Sequence, residues 1–279
     1  MPDNLNGRVV AITGAGRGIG AATARQLAAA GARVAVADLD LDRAEQVSAE
    51  IGGRAYRVDV TDSAAFDAFL DQVEADLGPL DVLINNAGIM PLAELLDETD
   101  ARMRRVFDLN TLAMMHGTRE AARRMVARGS GQVVNIASTA GEAGLPGATT
   151  YCASKAAVIA FSDAANVELR AKGVFVTCVM PGITRTELAS GVRELPGFHA
   201  ITPEDVAAGI VRAIRKPRFA VHVPRSAGPL IRTTSLLPRR FGLWMGRAMG
   251  ADTVFLDALK APERDAYEHR ADVNPGDLS

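Results

Sequence analysis

Cysteine, tryptophan and aromatic residues in general are scarce in this chain. Its 279 residues include two cysteines and one tryptophan, and aromatic residues make up 5% of the total. Cys152 and Cys178 both lie in apolar stretches, which favours a reduced cytosolic pair over a disulfide. Neither cysteine belongs to a metal-ligand spacing. The sequence therefore predicts a cytoplasmic protein without a metal centre.

A strong charge of either sign and long apolar runs are also lacking. The net charge is −2 and the pI is about 6.1, which offers no electrostatic reason to bind nucleic acid. No apolar run approaches the ~18 residues of a transmembrane helix. The first four residues lack the basic and apolar regions of a signal peptide. We expect an intracellular soluble chain, and with 48% hydrophobic residues it can build a substantial core.

Apolar, β-branched segments alternate with segments of helical periodicity. This alternation is typical of a parallel sheet covered by helices on both faces. We therefore predict an α/β fold, a doubly wound Rossmann-type sheet of about seven strands, in one domain spanning residues 1–224. The predicted strands are 8–13, 33–38, 55–58, 81–85, 132–138, 174–180 and 219–223. The predicted helices include 21–30, 42–51, 64–77, 100–128 and 151–172.

A glycine-rich turn joins the first predicted strand to the first predicted helix. Residues 13–20 read TGAGRGIG, with four glycines in eight positions. Such a turn lets backbone N–H groups and a helix N-terminus approach a phosphate. A tight turn that needs positive φ is the alternative, although one turn rarely needs four glycines. We predict phosphate binding, with a spacing that departs from the GxGxxG dinucleotide fingerprint.

An acid at the end of the second predicted strand bears on the cofactor. Asp38 lies about 20 residues beyond the turn, where a carboxylate can accept hydrogen bonds from the adenosine ribose and repel a 2′-phosphate. Arg17 argues for NADP, since it could pair with that phosphate. Because the carboxylate would lie closer to the ribose, we predict NAD and keep NADP as the alternative. Asp38 could also cap the helix that begins near Leu41.

Tyr151 and Lys155 form the candidate catalytic pair. They are four residues apart, so they share one face of a helix. A neighbouring ammonium would lower the tyrosine pKa from its ordinary ~10 and make the phenol a general acid/base. A surface tyrosine and a solvated lysine are the alternative. Ser138 ends the fifth predicted strand, where ligands of open α/β sheets bind, and Asn110 interrupts a helical stretch, where asparagine favours a kink.

Taken together, these motifs resemble those of the short-chain dehydrogenase/reductase family. The resemblance covers about residues 8–188, in the family's order and spacing. It comprises TGxxxGxG at 13–20, an acid at 38, Asp59, NNAG at 85–88 and Asn110. It continues with Ser138 thirteen residues before Tyr151, then Lys155, and Pro181-Gly182 followed by Thr186.

The resemblance implies a role for each matched residue. Ser138 would hydrogen-bond the substrate oxygen, Tyr151 would exchange its proton, and Lys155 would bind the nicotinamide ribose and lower the pKa of Tyr151. Asn110 would hold a water that links Lys155 to solvent. The implied catalytic residues are therefore Asn110, Ser138, Tyr151 and Lys155. The implied cofactor-binding residues are Gly14, Arg17, Gly18, Ile19, Gly20, Asp38, Asp59, Val60, Asn86, Ala87, Gly88, Tyr151, Lys155, Pro181, Gly182, Ile183 and Thr186.

Substrate choice is expected in residues 90–95, 139–148 and 184–202. Methionine and leucine side chains there would suit a bulky apolar alcohol or ketone, although core packing explains them equally well. The candidates are Met90, Leu92, Leu95, Leu145, Val192, Leu195 and Phe198, with Met114, Met115 and Met180 nearby. Glu142 would either orient a hydroxyl or remain a solvated loop acid.

Residues 225–279 form a C-terminal extension that departs from the family's usual ending. Apolar residues between 236 and 245 alternate with arginines between 232 and 247. This mixture fits a helix that closes the pocket, an oligomer contact or a weak membrane-surface patch. It puts in doubt the tetramer common in the family, so we expect a homodimer or a homotetramer.

The sequence as a whole predicts an NAD-dependent oxidoreductase of secondary alcohols and ketones, with lipophilic substrates. An NADP-dependent carbonyl reductase is the alternative within enzymes. A regulatory protein that binds nicotinamide without catalysis is the alternative outside enzymes, and the presence of all four catalytic residues argues against it.

Overall fold

The computed structural model describes residues 5–194, 199–235 and 252–272, with isolated positions 238, 240, 247 and 250. Seven strands form one sheet. They are β1 (Val9–Thr13), β2 (Arg33–Asp38), β3 (Arg54–Arg57), β4 (Leu80–Asn85), β5 (Gly131–Ile136), β6 (Val174–Pro181) and β7 (Ala220–Val223). Their spatial order is β3-β2-β1-β4-β5-β6-β7 and every pair is parallel. The predicted Rossmann-type sheet is confirmed.

Helices cover both faces of this sheet. The first seven are α1 (Gly18–Ala29), α2 (Leu41–Ile51), α3 (Ser63–Leu77), α4 (Asp100–Phe107), α5 (Ala113–Arg128), α6 (Thr149–Arg170) and α7 (Pro203–Arg215). Three more follow β7, namely α8 (Ala227–Ser235), α9 (Val254–Ala258) and α10 (Asp265–Asp272). Among the described residues, none of these helices is both long and apolar enough to cross a bilayer.

Two apolar layers, one on each face, hold the sheet between the helices. Val10 and Ile12 point to one face and Val9 and Ala11 to the other, and all four are at most 1% exposed. The strands are therefore continuous apolar runs, as parallel sheets require. With the sheet fixed in this way, the carboxyl ends of β1, β2, β4, β5 and β6 meet at one edge.

Polar side chains cap the helices that begin at this edge. Asp40 accepts a hydrogen bond from Arg43 N and caps α2. The sequence had allowed Asp38 as this cap, but the cap is Asp40. Asp62 caps α3 in the same manner. Each cap satisfies a backbone donor that the first turn of a helix leaves without an intrahelical partner.

Several expectations about the C-terminal region concern residues outside the described part. Leu195, Phe198 and the stretch 236–246 apart from positions 238 and 240 lie there, and so does the end of the chain from residue 273. The described remainder, α9 and α10, packs against the sheet edge that carries the candidate site: Val254 and Phe255 belong to the same buried cluster as Tyr151.

Candidate active site

A cleft of about 1780 Å³ opens at the carboxyl edge of the sheet. It brings together side chains from the strand ends of both halves of the fold. Of the residues proposed from the sequence, those that line it are Gly14, Arg17, Gly18, Ile19, Asp38, Asp59, Val60, Asn86, Ala87, Gly88, Ser138, Tyr151, Lys155, Pro181, Gly182, Ile183 and Thr186. Gly20 and Asn110 lie behind this lining.

The glycine turn forms one wall of the cleft. Gly14 and Gly18 have φ of 61° and 53°, which L side chains rarely adopt. A Cβ at Gly14 would lie 2.8 Å from Ala87 Cα, and one at Gly20 would lie 2.4 Å from Gly14 O. The Asn86 amide donates to Thr13 O at 3.0 Å and Gly14 O at 2.8 Å, which ties the turn to β4. This glycine-rich turn at a helix N-terminus fits a dinucleotide pyrophosphate.

Asp38 ends β2 as a buried acid beside that turn. It is 8% exposed, and its carboxylate accepts from Gly16 N at 2.8 Å and from Asp40 N at 3.1 Å. Arg17, in the same turn, pairs with Glu187 at 2.7 Å. The acid is therefore fixed by the backbone, whereas the arginine is occupied by another carboxylate.

Ser138, Tyr151 and Lys155 meet where β5 and α6 approach each other. Ser138 follows β5 and its hydroxyl accepts from Ala140 N at 3.1 Å. Lys155 is 5% exposed and donates to Ile136 O at 2.8 Å, with its Nζ 5.8 Å from the centre of the Tyr151 ring. The predicted helix face shared by Tyr151 and Lys155 is confirmed, since both lie in α6.

The expected lowering of the Tyr151 pKa is not found in this structure. Burial raises the pKa of Tyr151, and the hydrogen bond with Ser138 only partly opposes that effect. Burial also lowers the pKa of Lys155 to about 8. The expectation was wrong because burial, which disfavours the charged forms of both groups, has the larger effect on the pKa.

Asn110 lies where the helical stretch 100–128 changes its winding. Residues Asp108–Leu112 form a π-helical turn between α4 and α5, so the predicted kink takes this form. The Asn110 side chain accepts from Ile89 N at 2.9 Å and donates to Ile89 O at 2.8 Å and Ser154 Oγ at 3.2 Å. A Cβ at Gly88 would lie 3.0 Å from Asn110 Oδ1 and 3.6 Å from Lys155 Nζ. Asn110 therefore adjoins the lysine, as its assigned role requires.

The apolar end of the cleft agrees only in part with the substrate residues expected from the sequence. Met90, Leu145 and Val192 line it. Leu92 is buried and Leu95 is 61% exposed, and neither lines the cleft. Met114, Met115 and Met180 pack instead around Val158 and Cys178 in the core. Glu142 does not line the cleft: it is an exposed loop acid that pairs with His222 at 2.9 Å.

Among the cleft-lining residues that the sequence reasoning did not single out, four are informative. Glu187 follows β6, and Phe255, Tyr267 and Arg270 come from α9 and α10. Tyr267 carried a weak signal, since the chain has only three tyrosines and one of them lies far beyond the family motifs. The other three gave none, because no local pattern marks a residue that reaches a site through tertiary packing.

A second polar cluster lies on α3 and α5, and of its members only His116 lines the cleft. Asp67, His116 and Glu120 have ligand atoms within 4.8 Å of one another. Arg119 and Arg123 each pair with Glu120 at 2.9 Å, and Arg119 also contacts the His116 ring at 3.0 Å. Two guanidinium groups at these atoms make an ion-paired surface cluster the simpler description.

Comparison with known proteins agrees with this geometry. Residues 8–196 match the family described as short chain dehydrogenase. Galactitol 2-dehydrogenase of Agrobacterium fabrum is 37% identical over 220 residues, covering 77% of this chain and 86% of that protein. Sorbitol dehydrogenase of Cereibacter sphaeroides is 38% identical over 191 residues, covering 67% of this chain and 75% of that protein. A solved short-chain dehydrogenase/reductase of Burkholderia phymatum in complex with NAD has a TM-score of 0.75 and 26% identity, covering 82% of this chain and 93% of its own. This chain belongs to the short-chain dehydrogenase/reductase family.

Proposed function

We propose that the protein transfers a hydride between NAD and a lipophilic secondary alcohol or ketone. The observation that carries the proposal is the meeting of Ser138, Tyr151 and Lys155 in the same cleft as the glycine turn and Asp38. When bound, the nicotinamide would accept or supply the hydride. Ser138 would hydrogen-bond the substrate oxygen and Tyr151 would exchange a proton with it, as a base in oxidation and an acid in reduction.

Lys155 and Asn110 would assist this proton exchange. Near pH 8 the buried lysine changes its charge readily, because burial lowers its pKa to about 8. An ammonium that also bound the nicotinamide ribose would favour the phenolate. Asn110, held on Ile89 and Ser154, would support the proton path from Lys155 to solvent.

The preference for NAD over NADP rests on the charges around Asp38. Its buried carboxylate would repel a 2′-phosphate and accept hydrogen bonds from the ribose. Two of the arginines near this point have carboxylate partners: Arg17 pairs with Glu187 at 2.7 Å, and Arg43 pairs with Asp40 at 3.0 Å. A 2′-phosphate would have to displace these partners.

The preference for lipophilic substrates rests on the apolar lining beside Tyr151. A polyol, the substrate named for two relatives, would offer several hydroxyls to this lining. Buried hydroxyls without partners are costly, so we propose a substrate with more apolar surface. The lining residues that support this are Met90, Leu145, Leu188, Val192 and Phe255.

The homodimer or homotetramer, the cytoplasmic location and the division at residue 224 remain predictions.

The proposal is tested by following the absorbance of reduced nicotinamide. Purified protein with NAD or NADP is given secondary alcohols of graded size, with sorbitol and galactitol included. We expect NAD-dependent turnover that rises with apolar size and falls by at least ~10³-fold in Tyr151→Phe. Unchanged turnover in Tyr151→Phe would refute the assigned acid/base. Polyols preferred over apolar alcohols would refute the substrate class.

The cofactor assignment has its own test. Asp38→Ser removes the carboxylate that would repel the 2′-phosphate while keeping a small polar side chain. We expect the ratio of the NADPH and NADH dissociation constants to move about tenfold or more in favour of NADPH. The binding of both reduced cofactors is measured by fluorescence titration. An unchanged ratio would count against the role given to Asp38.

A further inference from the structure

A second buried phenol lies in the cleft beside Tyr151. Tyr267, from α10, is 9% exposed and lines the same cavity. Burial is the main cause of the raised pKa of Tyr151, and the nearby Tyr267 phenol adds to it. The two hydroxyl-bearing rings are therefore close enough to interact electrostatically within one site.

The Tyr267 hydroxyl has a proton left to give. Its oxygen accepts from Met90 N at 2.7 Å, and a phenol that accepts in this way can still donate its own proton. Within the described part of the chain, no acceptor for that proton is found. Burial raises the pKa of Tyr267 to about 12, so the group stays protonated at neutral pH. The cleft thus contains an unused, uncharged donor.

This donor is held in place by a buried arginine. The Arg264 guanidinium lies 4.9 Å from the centre of the Tyr267 ring and is 1% exposed. It donates to Leu188 O at 3.2 Å, to Ser190 O at 2.9 Å and to Met90 O. Because the same loops line the cleft, the phenol is fixed relative to the rest of the site. A fixed donor of this kind can select a substrate by a single hydrogen bond.

Because of what surrounds the Tyr267 hydroxyl, one additional oxygen on the substrate would favour binding, whereas several would weaken it. The residues that line the cleft and share a buried cluster with Tyr151 are apolar. A hydroxyl or carbonyl placed against them would lose its water partners without replacement. Tyr267 is the donor that could satisfy one such oxygen.

We propose that Tyr267 donates its free proton to a second oxygen of the substrate. The inference rests on the proposed oxidoreductase function and narrows its substrate class. The preferred substrate is a secondary alcohol or ketone whose largely apolar skeleton carries one additional acceptor oxygen. Tyr267 takes no part in the hydride or proton transfer at the reacting carbon; its role is to bind and orient.

The test compares cyclohexanol with the isomeric cyclohexanediols in wild type and Tyr267→Phe. The wild type should prefer one diol over cyclohexanol, and the variant should lose about 10- to 100-fold of that preference in kcat/KM. Tyr56→Phe is the matched control, since it removes the same atom from a phenol that bonds Asp76 at 3.0 Å outside the cleft. Its preference should stay within about twofold of the wild type, because distant sites rarely couple.

A change in preference separates substrate recognition from a general disturbance of the fold. Equal losses for cyclohexanol and the diol, or no loss, would overturn the proposal, and melting temperatures verify that each variant is folded. Calorimetry of cyclohexanone and 2-hydroxycyclohexanone binding to the NADH complex provides a second readout without turnover. Tighter binding of the hydroxyketone, lost in Tyr267→Phe, supports the inference even if no alcohol is oxidised. Equal binding of the two ketones by the wild type overturns it.

Discussion

At the scale of single residues, the most informative group is the buried Lys155. It is 5% exposed and its ammonium bonds Ile136 O instead of a carboxylate. Burial lowers its pKa from 10.5 to about 8. Burial disfavours the ammonium, and within the described residues no carboxylate pairs with it to offset the lost hydration. The lowered pKa of Lys155 suits a proton relay, and it should also affect how the stability of the apoprotein depends on pH.

We expect Lys155 to make stability rise with pH. Between about pH 8 and pH 10 the unfolded lysine keeps a proton that the folded lysine has lost, so the contribution of this group to the free energy of unfolding increases. Burial raises the pKa of Cys152, Cys178, Tyr151 and Tyr267, so these groups lower stability as their unfolded forms ionise, the thiols from about pH 9 and the phenols from about pH 10. The rise due to Lys155 is therefore the difference between the wild type and a variant that lacks this lysine.

Urea unfolding at a series of pH values measures this dependence. The comparison is between the wild type and Lys155→Met, which should lose the rise. Lys172→Met is the control, since that lysine is half-exposed and pairs with Glu168 at the surface. A rise that persists in Lys155→Met would assign it to another group.

At the scale of elements, the buried Arg264 joins the segment before α10 to the site. Arg264 donates to three backbone carbonyls of the loops after β4 and β6, and it pairs with Glu268 of α10 at 2.6 Å. Arg264→Met should lower the free energy of unfolding by about 3 kcal/mol or more, because these charge-assisted hydrogen bonds are lost in a buried site. Arg270→Met, within α10, is the control: its half-exposed pair with Glu187 should contribute less than about 1 kcal/mol.

Two measurements check this prediction. Urea unfolding gives the difference in free energy, and hydrogen exchange should become faster at Met90 and at residues 188–190 in Arg264→Met. Equal effects of the two arginine substitutions would contradict the role given to Arg264.

The same element shows where prediction from the sequence ends. The strands, the glycine turn and the Tyr151–Lys155 pair were predictable because their signals are local, in residue type and short spacing. Tyr267 was not, because its contact with Met90 spans 177 residues and short helices such as α9 and α10 depend on tertiary packing. The raised pKa of Tyr151 was also missed, since desolvation depends on what the whole fold places around the ring.

At the scale of the whole molecule, Glu187 connects three separate parts of the cleft. Its carboxylate pairs with Arg17 of the glycine turn at 2.7 Å, with Arg43 of α2 at 3.7 Å and with Arg270 of α10 at 3.0 Å. Each pair is partly exposed, so each one alone is weak and screened by salt. Together they give three arginines at the cleft a carboxylate partner, which supports the proposed preference for NAD.

Glu187→Gln should therefore weaken the discrimination against NADP. Arg17 loses its carboxylate partner, and Arg43 keeps only Asp40, so both can turn towards a 2′-phosphate. At low ionic strength we expect the ratio of NADPH to NADH dissociation constants to fall about three- to tenfold, and the change to shrink in about 0.5 M salt. Fluorescence titration of both cofactors measures it. Glu194→Gln, which removes a carboxylate that pairs with Arg185 at 3.0 Å, is the control. If the two variants shift the ratio equally, general charge and not the position of Glu187 controls the choice of cofactor.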